Sequence, residues 1–133
     1  MAQVASALPT GFYVLDPEHF SADLREDYEW GKLNVPFVDV PELPDIETAF
    51  YYRWRSYKKH IVETPEGFVV TEFLPKVGWA GKYNTIPAAA GHHITEGRWI
   101  HNRTYLNDYI TFWLSGGLGG AGTDWGGKQF KQQ

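Results

Sequence analysis

The chain contains no cysteine. Disulfides, thiolate metal sites and cysteine nucleophiles are therefore excluded. It also lacks any block of five or more basic residues, and its formal net charge is −4. Nothing in that pattern marks a nucleic-acid or anionic-membrane partner. No apolar run approaches the roughly 18 residues of a membrane span. Met1 to Phe12 has neither a basic n-region nor a long apolar h-region, so no signal peptide is read and a cytoplasmic location is expected. Phosphate-loop and esterase signatures are missing as well: Gly116-Gly117-Leu118-Gly119-Gly120 has no following lysine, and Gly-x-Ser-x-Gly does not occur.

Aromatic residues, by contrast, are plentiful: six Trp, eight Tyr and eight Phe in 133 residues. Rings of this kind suit cores, interfaces and sugar clefts. The length fits one domain by the usual size prior, and 43% hydrophobic with 21% charged residues is an ordinary globular composition.

The pattern reads as mainly α. Asp16-Pro17-Glu18 has the form of a helix start, with Asp16 as cap and Pro17 at the first helical position. Phe20, Leu24 and Tyr28 step by four, which predicts a helix over 17–30 ended by Gly31. Pro36, Pro41 and Pro44 exclude a helix over 33–45, and 35–40 reads as extended. Ile46, Phe50, Trp54, Tyr57 and Ile61 make a stripe at spacings of 4, 4, 3 and 4. That predicts a helix over 46–63 capped by Asp45. Thr64-Pro65-Glu66-Gly67 is a turn signal, and 68–74 a short strand or extended segment. A polar loop over 75–85 precedes helices over 87–100 and 103–115. Asn102 is expected to cap the second, whose stripe is Leu106, Tyr109, Ile110 and Trp113. Residues 116–133 are glycine-dense and then polar, and read as a disordered tail.

The densest mixture of polar and aromatic residues is Trp79-Ala80-Gly81-Lys82-Tyr83-Asn84-Thr85 with Gly91-His92-His93-Ile94-Thr95-Glu96-Gly97-Arg98-Trp99. A sugar presents hydroxyls around an apolar ring face, so its site needs flat rings beside polar groups. On a helix His92, Glu96 and Trp99 lie at i, i+4 and i+7, on one face. Each of these residues also has a plain structural reading. Trp54 sits on the apolar stripe and suits a core. Arg53 and Glu72 suit a solvated surface, and Trp99 can pack between the last two helices. Adjacent His92 and His93 diverge by about 100° on a helix and do not chelate together. No zincin-type motif occurs, so no metal or other cofactor is expected.

Tyr51-Tyr52-Arg53-Trp54-Arg55, Thr71-Glu72-Phe73-Leu74-Pro75, Trp79 to Ile86, Ala90-Gly91-His92-His93-Ile94 and Glu96-Gly97-Arg98-Trp99 together resemble a six-hairpin glycosidase-like family. The chain is similar there to mannosylglycerate hydrolase-like and trehalase-like glycoside hydrolases, over about 34–115 of this sequence. The resemblance implies an incomplete (α/α)6 toroid: a one-helix segment at 1–33, a partial six-hairpin domain at 34–115, and the tail at 116–133. It implies hydrolysis of a glycosidic bond, with substrate-cleft residues Arg53, Trp54, Glu72, Trp79, Lys82, Asn84, His92, Glu96 and Trp99. Such enzymes need a carboxylic acid and a carboxylate base, about 6.5–9.5 Å apart when inverting. In the family these lie downstream of the matched motifs, so the catalytic residues are not assigned here and this stretch alone is expected to be inactive. Twelve helices of average length, about 11–12 residues each, already fill a chain of this length before any loop is counted, which leads to the expectation of a partial enzyme. The alternative is a non-catalytic carbohydrate-binding or interaction fragment. The expected partner is a carbohydrate, and exposed aromatic surface leaves self-association open.

Overall fold

A computed structural model describes residues 15–115; the expected disordered tail lies outside them. The described chain is mainly helical with a single small hairpin. A 3₁₀ turn at Pro17–Phe20 leads into α1 (Ser21–Leu24), and a second 3₁₀ turn at Arg25–Asp27 leads into α2 (Tyr28–Asn34). Then come α3 (Pro44–His60), β1 (Ile61–Thr64), β2 (Gly67–Val70), a 3₁₀ turn at Lys82–Asn84, α4 (Pro87–Gly97) and α5 (Thr104–Leu114). Among the described residues no helix is long and apolar enough to cross a membrane.

Local chemistry accounts for the first element. Asp16 has extended backbone and its side chain accepts from the Glu18 amide at 3.0 Å, while Pro17 occupies the first turn. The expected end at Gly31 is not observed. α2 continues to Asn34, and Gly31 is buried because a Cβ there would sit 2.7 Å from Leu24 Cδ1. Gly31 serves close packing of α2 on α1, and the chain leaves the helix at Val35, whose backbone is extended.

α3 begins earlier than the stripe predicts, with Pro44 in its first turn and Leu43 at the cap position. Pro44 has no N–H to lose there. Asp45 is a first-turn acid rather than the cap. The segment before α3 leaves α2 with extended backbone at Val35, and 36–40 form neither helix nor strand. Tyr51 Oη instead accepts from Val38 N at 2.9 Å and donates to Val38 O at 2.8 Å, and Glu47 accepts from Val40 N at 2.8 Å. Burial pushes the Tyr51 phenol up to about 12, which keeps it a donor.

α3 ends at His60, before the expected Glu63, because Ile61–Thr64 pairs antiparallel with Gly67–Val70. The register sets Ile61 against Val70 and Thr64 against Gly67, leaving Pro65-Glu66 as a two-residue turn. Gly67 has φ +101°, and a Cβ there would lie 2.7 Å from Asp108 Oδ2. That carboxylate accepts from Phe68 N at 3.0 Å, tying the hairpin to α5. α5 starts one residue later than expected, with Arg103 rather than Asn102 at the cap position, although Asn102 Oδ1 accepts from Thr104 N at 3.1 Å.

α5 packs on β2 and α1 on α3. The main core joins Val35, Trp54, Tyr57, Val69, Val70, Ala90, Ile100, Leu106, Tyr109, Phe112 and Trp113. A second cluster of Phe20, Leu24 and Tyr51 seats the N-terminal turns on α3. Asp27 is buried there beside Lys58 at 2.5 Å and Arg55 at 3.9 Å. On the α3 stripe Trp54 and Tyr57 are buried but Ile46 is 57% exposed, since α3 outruns its packing partners at its N-terminal end.

Candidate functional site

The last two turns of α3 place Arg53, Ser56, Tyr57 and His60 on one face, at i, i+3, i+4 and i+7. α4 presents His93 and Glu96 opposite them, and the chain leaving β2 adds Val70 and Glu72. These residues line an open pocket of about 170 Å³. Two carboxylates, two imidazoles and a guanidinium converge there.

Each side chain is held by its neighbours. Arg53 forks onto Glu96, with Nη2 at 2.7 and 2.8 Å from its two oxygens and Nε at 2.9 Å from Oε1. The guanidinium side is 59% exposed, so this pair contributes about 0.2–1 kcal/mol to stability and acts mainly to orient both groups. Glu72 is fixed at its backbone, donating to Asn84 O at 2.8 Å, and its Oε2 lies 3.1 Å from His93 Nε2. Tyr109 Oη lies 3.1 Å from His93 Nδ1. Burial pushes the Tyr109 phenol up to about 12, so the phenol donates. A carboxylate on Nε2 requires the proton there, and Nδ1 then accepts from Tyr109. The three form a directed chain: Tyr109 O–H to His93 Nδ1, His93 Nε2–H to Glu72.

His60 takes the opposite tautomer. Its Nδ1 lies 2.6 Å from the carbonyl of Thr71, while Thr71 N donates to the His60 carbonyl at 2.8 Å. Nδ1 must carry the proton to meet a carbonyl, which leaves Nε2 of the neutral ring as an acceptor. Tyr57 Oη donates to the His93 carbonyl at 3.0 Å and rests against Gly97, where a Cβ would fall 2.1 Å from Oη. Gly97 thereby lets α4 approach α3 and close the pocket floor. Burial pushes the Tyr57 hydroxyl well above its ordinary value.

Burial holds the His93 imidazolium below its ordinary 6.5, with His60 adding to that effect and Glu72 and Glu96 opposing it. The unfolded chain therefore binds a proton at His93 more readily than the folded one. This contribution to stability is intact above about pH 6.5 and is lost as pH falls toward the folded-state value. A histidine-resolved NMR titration should give His93 a midpoint below 6.5. A midpoint above it would mean that the Glu72 carboxylate outweighs burial.

Of the nine residues expected in a substrate cleft, Arg53, Glu72 and Glu96 meet in this pocket. The others lie elsewhere. Trp54 is 5% exposed and belongs to the core, so it cannot offer a ring face to a ligand. Asn84 is buried, its Oδ1 accepting from Val77 N at 2.6 Å and its carbonyl from Glu72 N at 2.8 Å. It braces the 75–85 loop, with φ +56°. Lys82 pairs with Glu66 at the hairpin tip, where Tyr83 also donates to Glu66. The Lys82 ammonium holds the Glu66 carboxyl below its usual range. Trp79 is 67% exposed with its ring edge-on to Phe73 at 4.7 Å, and Trp99 is 60% exposed under Arg98 at 4.9 Å. His92 is exposed. The expected face of His92, Glu96 and Trp99 thus does not bind the pocket together. The inward face of α4 runs through Ala90, His93, Ile94 and Gly97, at i, i+3, i+4 and i+7. His93, His60, Ser56 and Tyr57 were absent from the expected cleft. Small and apolar residues at that spacing mark the inward face once the Gly97–Tyr57 contact is known. Among the described residues no three His, Cys, Asp or Glu side chains cluster so as to hold a metal ion.

No family model matches the chain, and no curated protein sequence matches it. A solved sialidase structure resembles it. The likeness has a TM-score of 0.72 and 35% identity, over 77% of this chain and 11% of the sialidase. The chain is therefore similar, over most of its length, to part of an enzyme that by its name is a glycoside hydrolase. It spans about a tenth of that enzyme's length (11%).

Proposed function

We propose that this chain forms part of the substrate cleft of a carbohydrate-active enzyme, a glycoside hydrolase of six-hairpin type, with the α3–β2–α4 pocket facing the sugar. The observation that carries the reading is the 35% identical likeness to a sialidase across 77% of the chain. The pocket supports it, because Arg53, Glu72 and Glu96 supply the donor and acceptors a hydroxyl-rich ligand needs. Trp79 and Trp99 are exposed aromatic residues outside that lining. A volume of about 170 Å³ falls below the roughly 300–1,000 Å³ of a complete small-molecule site, as expected of a cleft finished by further chain.

The reading has a direct kinetic test. The 133-residue chain should turn over no member of a panel of aryl glycosides and disaccharides. The longest polypeptide that contains it should hydrolyse at least one of them. In that polypeptide Glu96→Ala should raise KM about tenfold or more with little change in melting temperature, the scale of a hydrogen bond to a charged group. Turnover by the short chain that Glu96→Gln abolishes would place the catalytic group here instead. Absence of glycosidase activity in the long polypeptide would favour the non-catalytic binding fragment.

A further inference from the structure

The two imidazoles of the pocket are locked in opposite tautomers, and the locks decide what the pocket can read. His60 donates through Nδ1 to Thr71 O at 2.6 Å, and its Nε2 makes no hydrogen bond with any described residue. Glu72 Oε2 is taken by His93 at 3.1 Å. Glu72 Oε1 makes no hydrogen bond with any described residue. Both residues line the same pocket. With neutral imidazoles the lining carries two carboxylates against one guanidinium, a net charge of −1, and that guanidinium is already forked onto Glu96. That negative balance makes the field repulsive to anions.

We propose that this pocket is a hydroxyl-reading site in which His60 Nε2 and Glu72 act together as acceptors for the hydroxyls of an uncharged polyol or pyranose, with His93 as a positioning residue for Glu72. The proposal rests on the reading of the chain as carbohydrate-active and adds to it the residues that select the ligand and the charge they select against. An anionic sugar would set its carboxylate beside Glu72 and Glu96, and the charge of Arg53 is already paired with Glu96. A neutral ring meets the acceptors with its own O–H donors and disturbs no ion pair. The Tyr109–His93–Glu72 chain keeps the acceptor in place: without the imidazole N–H, Glu72 is free to swing to solvent, being 30% exposed at its side chain.

The test is an NMR titration of the full chain, followed at the imidazole resonances of His60 and His93. The probes are methyl α-D-glucopyranoside and myo-inositol as neutral polyols, and D-glucuronate and N-acetylneuraminate as anions. Long-range proton–nitrogen spectra at pH 7.5 should first show His60 as the Nδ1–H tautomer and His93 as the Nε2–H tautomer; the reverse assignment would overturn the proposal at once. The neutral probes should then shift both resonances, and the anions should bind at least about tenfold more weakly. His93→Leu should weaken the neutral probes about tenfold, the scale of a hydrogen bond to a charged group. His93→Gln, which keeps a donor and an acceptor, should restore most of the affinity. If His93→Leu does not fold, Glu72→Gln and His60→Phe serve the same end, each with the same expected weakening. Equal or tighter binding of the anions at these resonances would overturn the charge selection while leaving the glycoside reading intact. Shifts confined to Trp79 and Trp99 would overturn the site and leave that reading standing. No shift anywhere from any sugar would overturn both.

Discussion

Trp54→Ala is expected to destabilise the protein by about 3–5 kcal/mol, the range for truncating a large buried aromatic side chain. The indole is 5% exposed and packs edge-on to Phe50 at 6.3 Å and Tyr57 at 6.0 Å. Its removal opens the main core at the level where α3 meets the other helices. Small domains hold about 5–15 kcal/mol in all, so this loss is a large share of the total. For a domain near this size the melting temperature should fall by at least about 12 °C. The same substitution separates the core role from a ligand platform, because a platform tryptophan would change binding while leaving the transition near its original temperature. Trp79→Ala supplies the contrast: 67% exposed and touching Phe73 alone among described aromatic rings, it should alter stability by about 1 kcal/mol or less.

Gly97→Ala is the second large effect, and it reaches the pocket. In an open helix the change would be favourable by about 0.5–1 kcal/mol. Here the new Cβ would meet Tyr57 Oη at 2.1 Å, Tyr57 Cζ at 2.7 Å and Leu106 Cδ2 at 3.0 Å. Tyr57 is 4% exposed and donates to the His93 carbonyl, so its ring has no free space to take. Overpacking of this kind costs about 1–3 kcal/mol, and the clash outweighs the propensity gain. The relief available is to push α4 away from α3. That would lengthen the Tyr57–His93 contact and break the Arg53–Glu96 fork, whose partners lie on those two helices. A drop in melting temperature with a changed His93 titration is therefore expected. Tyr57→Phe should reduce the penalty without abolishing it, since the ring carbon remains within 2.7 Å. An unchanged melting temperature would show that the two helices are farther apart than described.

Much of the architecture was legible because its causes are local. Asp16-Pro17 announces a helix start, Pro65-Glu66 before Gly67 announces a reversal, and the α5 stripe finds Leu106, Tyr109 and Trp113 buried. The errors fall where distant chain decides. Ile61 extends the α3 stripe perfectly by spacing, yet it pairs with Val70 and becomes a strand. Helical periodicity cannot register a partner supplied only after the turn. Gly31 looks like a stop but is an inward contact with Leu24. At the pocket, residue types identified Arg53, Glu72 and Glu96 as polar groups near one another in function, but not the partner that orients each. The choice of His92 over His93 turned on which face of α4 is inward. That face is set by Gly97 against Tyr57, a contact between residues forty positions apart that neither segment announces alone. Trp54 and Asn84 carry the opposite lesson: residue types suited to sugars serve equally to fill a core and to brace a loop.

The central claim is that the α3–β2–α4 pocket belongs to a sugar cleft. Its most direct test is a crystal structure of the longest polypeptide containing this chain, soaked with a non-hydrolysable thio-linked disaccharide. A sugar ring is expected with hydroxyls within hydrogen-bond distance of Glu72 and His60, flanked by groups from further helices. A disaccharide seated elsewhere, with Glu72 and His60 covered by unrelated chain, would contradict it.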